Sequence, residues 1–186
     1  MTGECADARD RIVRVELVRW GGLPSGCRPS ELFPELSDDT SEWAVRPLGE
    51  DFERAAFAVV DLPGYNRPTV SVRDGAVVMF DGMNPRLAGG LEPLVSDLGD
   101  PEARLDYRHG TLPVERGEWV YPSRGATLFV NTTADTALHV ALYGPVTFRQ
   151  YLRLLRPHLG KTLRPHPIAG EASCRSKGSK RRTRAD

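Results

Sequence analysis

Apolar and polar residues alternate near the start of the chain. Over residues 11–20, Val13, Val15 and Leu17 share one parity, while mostly polar side chains occupy the other. Such a period of two residues is typical of a β-strand with one buried face. We therefore predict an N-terminal strand over this stretch, and we expect residues 1–10 to be flexible.

A β-hairpin is the strongest local prediction. β-branched residues flank Asp74-Gly75 within residues 69–80, and this dipeptide tolerates the positive φ angles of a two-residue turn. The apolar run at 55–62 predicts a largely buried strand just before the hairpin.

The leucines of residues 87–98 recur at helical spacing, which predicts an amphipathic helix that begins near Leu91. Pro93 then falls in the first turn, where proline is tolerated. Gly99 suits the left-handed cap at the end of a helix, and Pro101 cannot continue it. The helix is therefore expected to stop there and to give way to strands.

Short apolar segments separated by turn residues follow this helix and predict an antiparallel meander. Thr147 is a suitable N-cap for a further helix, which Pro157 should end. The predicted fold class is α+β: an antiparallel meander sheet with one or two packed helices, preceded by an N-terminal strand and hairpin. The predicted meander strands cover residues 103–107, 118–121, 126–130 and 137–143.

Charge is distributed unevenly along the chain, although the formal net charge is zero. Residues 160–186 hold eight basic and two acidic side chains, whereas the rest of the chain has 17 basic and 23 acidic ones. This C-terminal stretch is nearly free of large apolar residues, which is typical of disorder. We predict a single α+β domain over 11–159 and a disordered basic tail over 160–186. The wide use of Arg, Ala, Gly and Pro suggests a bacterial source with high-GC coding.

The cysteines Cys5, Cys27 and Cys174 form no Cys-x-x-Cys pair. An odd and scattered set is typical of reduced thiols. The apolar stretch at 136–148 is shorter than a membrane helix requires, and residues 1–10 lack the apolar core of a secretion signal. We therefore predict a cytoplasmic protein that does not associate with a membrane.

One segment resembles a module of known proteins. A Gly-x4-Val-x2-Leu-Gly-x-Pro pattern precedes a Trp-x-Tyr strand within residues 89–143. This succession is similar to the helix-plus-meander module of the BamE (SmpA/OmlA-type) lipoproteins, which the beta-lactamase-inhibitor proteins contain in duplicate. The resemblance implies an α+β scaffold that binds other proteins, but the chain has no lipobox cysteine that would carry over an outer-membrane role. The matching positions are Gly90, Val95, Leu98, Gly99, Pro101, Trp119 and Tyr121.

Two tryptophan-centred segments echo each other, SEWAVRP around Trp43 and GEWVYP around Trp119. Both precede apolar strands, but no Leu-Gly-x-Pro helix ending stands before Trp43. Chance or shared strand composition explains the echo better than a duplicated module does. Whether the first half repeats the second is left open by the sequence.

Polar residues gather around Asp106 and His109. Asp106 can orient His109 as a general base, because a neighbouring carboxylate fixes the imidazole tautomer and raises its basicity. Glu118 lies downstream and completes this candidate catalytic cluster. The same residues also fit a strand that ends in a polar loop, and no activated Ser or Cys accompanies them. The structural interpretation is favoured over a small enzyme or ligand-binding domain.

The four histidines show no metal-site spacing with one another or with cysteine. His139 falls on the more polar parity of its strand, which indicates a solvent-facing or structural residue. We predict neither a metal site nor a bound cofactor.

Aromatic residues and the loop after Tyr107 provide the candidate binding surface, since aromatic side chains are favoured interface anchors. The same aromatic residues fit a core location equally well, and at least two of the three tryptophans are expected there. The predicted binding residues are Tyr107, Arg108, His109, Trp119 and Tyr121. The basic tail would attract phosphate backbones without sequence specificity, although a solvated extension is the simpler interpretation. The candidate nucleic-acid contacts of the tail are Arg175, Lys177, Lys180, Arg181, Arg182 and Arg184.

Three functional hypotheses follow from these features. A non-catalytic protein-binding domain, either immunity-like or an accessory factor, is preferred because no complete catalytic constellation is present. The first alternative is a small enzyme or ligand-binding domain that uses Asp106, His109 and Glu118. The second is nucleic-acid association through the tail. The expected partner is a protein.

Overall fold

A computed structural model describes residues 3–47, 54–109, 112–131 and 136–156, with only the backbone at 46, 47, 54, 108, 109 and 112. Within these residues, the helices are α1 (Gly3–Arg14), α2 (Pro29–Leu32), α3 (Leu91–Leu98) and α4, which begins as Phe148–Gln150 and continues as a π-helical turn over Tyr151–Leu155. A 3₁₀ turn covers Pro122–Arg124. The strands are β1 (Ala44–Pro47), β2 (Arg54–Val59), β3 (Asn66–Arg73), β4 (Ala76–Met83), β5 (Ala103–His109), β6 (Leu112–Tyr121), β7 (Ala126–Asn131) and β8 (Thr136–Tyr143).

The described strands form one antiparallel sheet in the order β1-β2-β3-β4-β8-β7-β6-β5. Strands β1 to β4 form one meander and β5 to β8 form another, because consecutive strands are joined by short connections and pair with each other. The last strands of the two meanders, β4 and β8, pair with each other. The predicted α+β class with an antiparallel meander is confirmed.

The first face of the sheet carries the larger hydrophobic core. Helices α1, α2 and α3 pack against this face through Ile12, Leu32 and Leu94, which are at most 3% exposed. The sheet contributes Phe80 and Leu142 to the same core. Burying side chains of this size stabilises the fold by about 1.5–3 kcal/mol each, so apolar contacts hold these three helices on the sheet.

The prediction of a strand over 11–20 is wrong, because the chain is helical as far as Arg14. The buried residues of α1 are Cys5, Ala8 and Ile12, which lie on one helical face. Val13, which the alternation placed in the core, is 37% exposed. Much of the stretch that was expected to be flexible, from Gly3 onward, belongs to this helix.

Helix α1 ends without the glycine that usually follows the last helical residue. The Val15 N–H donates to the Ile12 carbonyl and the Glu16 N–H to the Arg11 carbonyl, which is the Schellman arrangement. Val15 has a φ of 56°, where glycine is usual. Its side chain is buried and lies against Gly64, where a Cβ would leave no room for it. Tertiary packing of Val15 therefore supports the strained backbone.

The hairpin and the central helix are confirmed. Strands β3 and β4 flank Asp74 and Gly75, which have φ angles of 51° and 75°. Helix α3 begins at Leu91, as predicted, and the Gly99 N–H caps it by donating to the Val95 carbonyl at 2.9 Å. Gly99 has a φ of 75°, which glycine tolerates, but its ψ of −160° lies outside the left-handed helical region.

Helix α4 lies on the opposite, second face of the sheet. Thr147 is its N-cap, as predicted: the Thr147 hydroxyl accepts the Gln150 N–H, and the Gln150 side chain accepts the Thr147 N–H. The π-helical turn that follows buries Tyr151 and Leu155 in a second, smaller core. Pro157, the predicted end of this helix, lies outside the described residues.

The prediction that all cysteines are reduced is wrong. Cys5 and Cys27 form a disulfide with 5.9 Å between their Cα atoms. The two residues lie 22 positions apart and share no short motif, so only the docking of α1 beside the segment before α2 brings them together. Cys174 lies outside the described residues.

The two meanders share a plan that the sequence left open. Each is preceded by a short helix, α2 or α3, that packs on the first face. A glycine with a positive φ precedes each helix: Gly26, at 77°, lies three positions before α2, and Gly90, at 84°, lies directly before α3. Trp43 precedes β1 whereas Trp119 lies within β6, so these two tryptophans are not equivalent. The residues with equal spacing in the two halves are Leu23, Gly26 and Pro29, and Leu87, Gly90 and Pro93.

Within the described ranges, no helix is long and apolar enough to span a membrane. The predicted basic tail over 160–186, with all of its candidate nucleic-acid contacts, lies outside the described residues.

Candidate binding face

The second face of the sheet can be followed along one row of directly paired residues, because such pairs share a face in antiparallel strands. From β8 to β6 this row is fully buried, whereas its β2 end, Val59, is 64% exposed. The two halves of the second face are therefore covered to different degrees. The row consists of Val59, Thr69, Asp81, Ala141, Thr127, Val120 and Ala103.

The carboxylate of Glu118 anchors α4 over the C-terminal half. Its side chain is 2% exposed, and it accepts hydrogen bonds from the Tyr151 hydroxyl at 2.8 Å and from Arg156 Nε at 2.9 Å. Arg156 Nη2 also donates to Glu118 Oε2 at 3.0 Å and to the Asp106 carbonyl at 3.1 Å. Desolvating these charges is costly, and the charge-assisted hydrogen bonds offset that cost.

The donors of this anchor stay protonated at neutral pH. Burial, together with the charge of Glu118, raises the pKa of Tyr151 well above its usual value. Burial alone would lower the pKa of Arg156, but the hydrogen bonds and charge of Glu118 outweigh this effect and raise it. Glu118 is therefore held by two permanent donors, which makes it the attachment point of α4.

A second polar cluster lies where the two halves of the sheet meet. Thr69 Oγ1 donates to Asp81 Oδ2 at 2.7 Å, and Asp81 Oδ1 lies 3.4 Å from His139 Nε2. The imidazole of His139 stacks on Phe129, with ring centroids 4.8 Å apart. The side chains of Asp81 and His139 are 14% and 17% exposed, so this cluster reaches solvent at its edge.

We call five residues at this end of the second face the open patch: Phe57, Val59, Thr69, Asp81 and His139. Its apolar part is Val59 with half-buried Phe57 on β2, and its polar part lies on β3, β4 and β8. The polar anchor of α4 lies instead on β5 and β6. The open patch therefore combines an exposed apolar side chain with hydrogen-bonding groups, as protein interfaces do.

The predicted catalytic residues have intramolecular partners where their side chains are described. The Asp106 carboxylate accepts the Arg116 N–H at 2.8 Å across the β5–β6 hairpin. Glu118 binds Arg156 and thereby holds α4. Each carboxylate thus stabilises the fold. The side chain of His109 lies outside the described residues.

The predicted surface role of Tyr107 and Tyr121 is wrong, because the two rings are only 6% and 2% exposed. The strands turn Tyr107 into the core of the second face and Tyr121 into that of the first. Burial raises the pKa of each phenol to about 12.

Trp119 is half-buried at the β5–β6 edge of the first face. Its indole Nε1 donates to the Arg116 carbonyl at 3.0 Å, and the Arg104 guanidinium lies 4.9 Å from its ring centre. Both contacts hold the ring in place and leave part of it accessible. The side chain of Arg108, the remaining predicted binding residue, lies outside the described residues.

The sequence interpretation missed the open patch for a structural reason. The turn at Asp74-Gly75 sets the β3–β4 register only as far as the Val72–Val77 pair. A register shift beyond that pair brings Thr69 opposite Asp81, whereas the turn alone would place it opposite Phe80. The approach of His139 depends on the pairing of β4 with β8, which no local pattern indicates. Val59 lay in a run that was expected to be largely buried.

In the described part of the chain, no three His, Cys, Asp or Glu side chains come together to hold a metal ion. Comparisons of the chain with protein-family models, with curated proteins and with solved structures give no match. The resemblance to the BamE-type module therefore stays a prediction.

Proposed function

We propose that the protein is a non-catalytic protein-binding domain, of immunity-like or accessory type, whose partner docks on the open patch. The observation that carries this proposal is the 64% exposure of Val59 on a sheet face that is otherwise largely buried. Covering a valine side chain contributes on the order of 1–2 kcal/mol to an association, so Val59 is a suitable apolar anchor.

The surroundings of Val59 fit a protein surface. Thr69 lies directly opposite it on β3, and Asp81 lies opposite Thr69 on β4. The Asp81 carboxylate supplies acceptor oxygens at the same edge, and the His139 ring lies beside it with its Nε2 atom buried. A partner that places an apolar side chain on Val59 and a polar group near Asp81 would satisfy both parts of the patch.

Among its described residues, the C-terminal half offers no comparable surface on this face. There α4 covers the sheet with Tyr151 and Leu155, and the stacking of Tyr151 on Tyr143 at 5.5 Å closes the contact. The resemblance of residues 89–143 to modules that bind other proteins supports the same class of function.

Val59→Asp tests the proposal, because it places a charge at the centre of the apolar part. Val45→Asp is the matched control: Val45 is also an exposed strand valine, at 45%, but it pairs with Ala56 and so faces away from the row that contains Val59. Thermal melts verify that both variants are folded. Each variant is immobilised beside the wild-type protein and exposed to an extract of its own host, and retained proteins are quantified by mass spectrometry.

We expect at least one host protein to be retained by the wild type and by Val45→Asp, and to be lost with Val59→Asp. With that protein purified, calorimetry should show an affinity at least about tenfold lower for Val59→Asp, as for a residue inside a binding hot spot. A retained set that is the same for all three proteins would refute the proposed surface.

A further inference from the structure

The Cys5–Cys27 disulfide connects α1 to a segment that belongs to the first half of the sheet. The Cys27 carbonyl accepts the Val77 N–H at 2.8 Å, so Cys27 is fixed to β4. On the other side, Cys5 lies in the first turn of α1. The bond therefore attaches the start of α1 directly to the sheet.

The start of α1 has few other attachments among the described residues. Ala8 and Ile12 are its other buried side chains, and the Tyr65 hydroxyl donates to the Ile12 carbonyl at 3.0 Å. These contacts lie in the second and third turns. A helix of 12 residues is marginally stable on its own, so its first turn depends on the covalent attachment.

Both cysteines are inaccessible in the folded protein, with exposures of 2% for Cys5 and 0% for Cys27. A buried disulfide is protected from thiols in solution, because exchange requires a thiolate to reach a sulfur atom. The bond must consequently form before α1 closes over it. A bond that forms before α1 closes and is afterwards inaccessible to thiols is a structural bond made during maturation, not a reversible switch.

We propose that the protein matures in an oxidising compartment, where Cys5 and Cys27 are joined by exchange with the disulfide of a thiol oxidase. One cysteine thiolate attacks the oxidase disulfide, which forms a mixed disulfide and releases one oxidase thiol. The second cysteine thiolate then displaces the other oxidase sulfur and closes the Cys5–Cys27 bond. The two cysteines lose two protons and two electrons, and the oxidase leaves as a dithiol.

This proposal replaces the predicted cytoplasmic location. Structural disulfides persist in oxidising compartments, whereas the thiol pools of the cytoplasm of most organisms keep cysteines reduced. The three scattered cysteines of the sequence favoured reduced thiols, and the fold overturns that interpretation for two of them.

Thiol trapping in the native host tests the compartment. Cells are quenched in acid, treated with an alkylating agent under denaturing conditions without reductant, and the protein is digested for mass spectrometry. We expect a peptide pair linked through Cys5 and Cys27, with Cys174 alkylated as an internal control. Alkylation of Cys5 and Cys27 in most molecules would overturn the proposal.

Hydrogen exchange tests the structural role separately. Two samples lack the bond: wild-type protein that has been reduced under mild denaturation and refolded in reductant, and the double variant Cys5→Ala/Cys27→Ala. In both, we expect α1 amides to exchange at least about tenfold faster than in the oxidised wild-type protein. Amides of β3 and β4 should keep their protection, and Cys174→Ser should behave as the wild type. Unchanged protection of α1 in both the reduced protein and the double variant would show that the bond does not hold the helix.

Discussion

The two halves of the sheet share a plan but differ in what has been added to them. Each half consists of a short helix and a four-stranded meander, and both helices pack on the first face. The N-terminal half is joined to α1 by a disulfide and leaves Val59 exposed on the second face. The C-terminal half is covered on that face by α4, which Glu118 anchors. The repeated part builds the scaffold, and the added helices decide which surface stays accessible.

The attachment of α4 is expected to give the largest effect. Glu118→Gln leaves Arg156 as a buried charge without its carboxylate, so we expect a loss of about 3–5 kcal/mol in the free energy of unfolding. Urea denaturation followed by circular dichroism measures this loss. Glu102→Gln is a suitable control, because Glu102 is an exposed carboxylate that accepts from the Ser123 N–H at 3.0 Å.

The double variant Glu118→Leu/Arg156→Leu sharpens this test. Removing both charges of a buried pair costs much less than removing one, so the double variant should recover most of the stability lost by Glu118→Gln. A double variant as unstable as the single one would mean that packing, and not the unpaired charge, determines the attachment of α4.

Alkaline pH should affect the C-terminal half first, because four of the five tyrosines, all except Tyr65, lie there. The pKa values of Tyr107 and Tyr121 are raised to about 12, against a usual value near 10. A raised pKa in the folded state means that the stability is complete below about pH 10 and falls as the pH rises towards 12. Denaturation midpoints between pH 8 and pH 12 measure the decline.

Tyr121→Phe provides the control for the pH dependence. The Tyr121 hydroxyl is buried without a hydrogen-bond partner among the described residues, so its removal should change stability at pH 7 by less than about 1 kcal/mol. The variant should also show a shallower decline above pH 10. If the stability of Tyr121→Phe falls as steeply as that of the wild type above pH 10, groups other than Tyr121 cause the pH dependence.

Gly26→Ala and Gly90→Ala compare the positive-φ glycines that have the same sequence spacing in the two halves. An added Cβ would meet no atom within 4 Å at either position, so the expected cost of about 1 kcal/mol comes from the positive φ alone. Gly21→Ala is the control, since Gly21 has the same open surroundings without a positive φ. Clearly unequal costs at Gly26 and Gly90 would contradict the shared plan.

The smallest effect is expected on the surface of α1. Asp7→Asn removes the ion pair with Arg11, whose Nε lies 3.0 Å from Asp7 Oδ2. The Asp7 side chain is 67% exposed, so the loss should stay within about 0.5 kcal/mol and should disappear in high salt. A larger loss would indicate that α1 depends on this pair as well as on its disulfide.

The sequence predicted the C-terminal half better than the N-terminal half for physical reasons. The leucine spacing before Gly99 and the Thr147 cap are local signals of the C-terminal half, and both are confirmed, as is the Asp74-Gly75 turn of the N-terminal half. The end of α1 at Val15 depends on the space beside Gly64, which only the folded chain provides. Local patterns therefore could not show where α1 lies.

The candidate site was predicted less well than the fold. Asp106 and Glu118 were selected because they lie near His109 in the sequence, but their carboxylates bind Arg116 and Arg156. The open patch depends on three strand pairings, one of which joins strands from different halves. A polar cluster built from distant strands has no compact sequence motif.

The pairing of β4 with β8 also determines how the chain could be divided. Met79 lies opposite Tyr143, so the seam closes only after most of the chain is available. The segment between β4 and α3 has exposed residues such as Asn84 and Arg86, where a cut is tolerable. Two fragments separated there would each expose one unpaired strand, β4 in the first and β8 in the second, and these two strands pair with each other in the intact sheet. Co-expressed as split fragments, they should reassemble into the eight-stranded sheet and report on each other's presence.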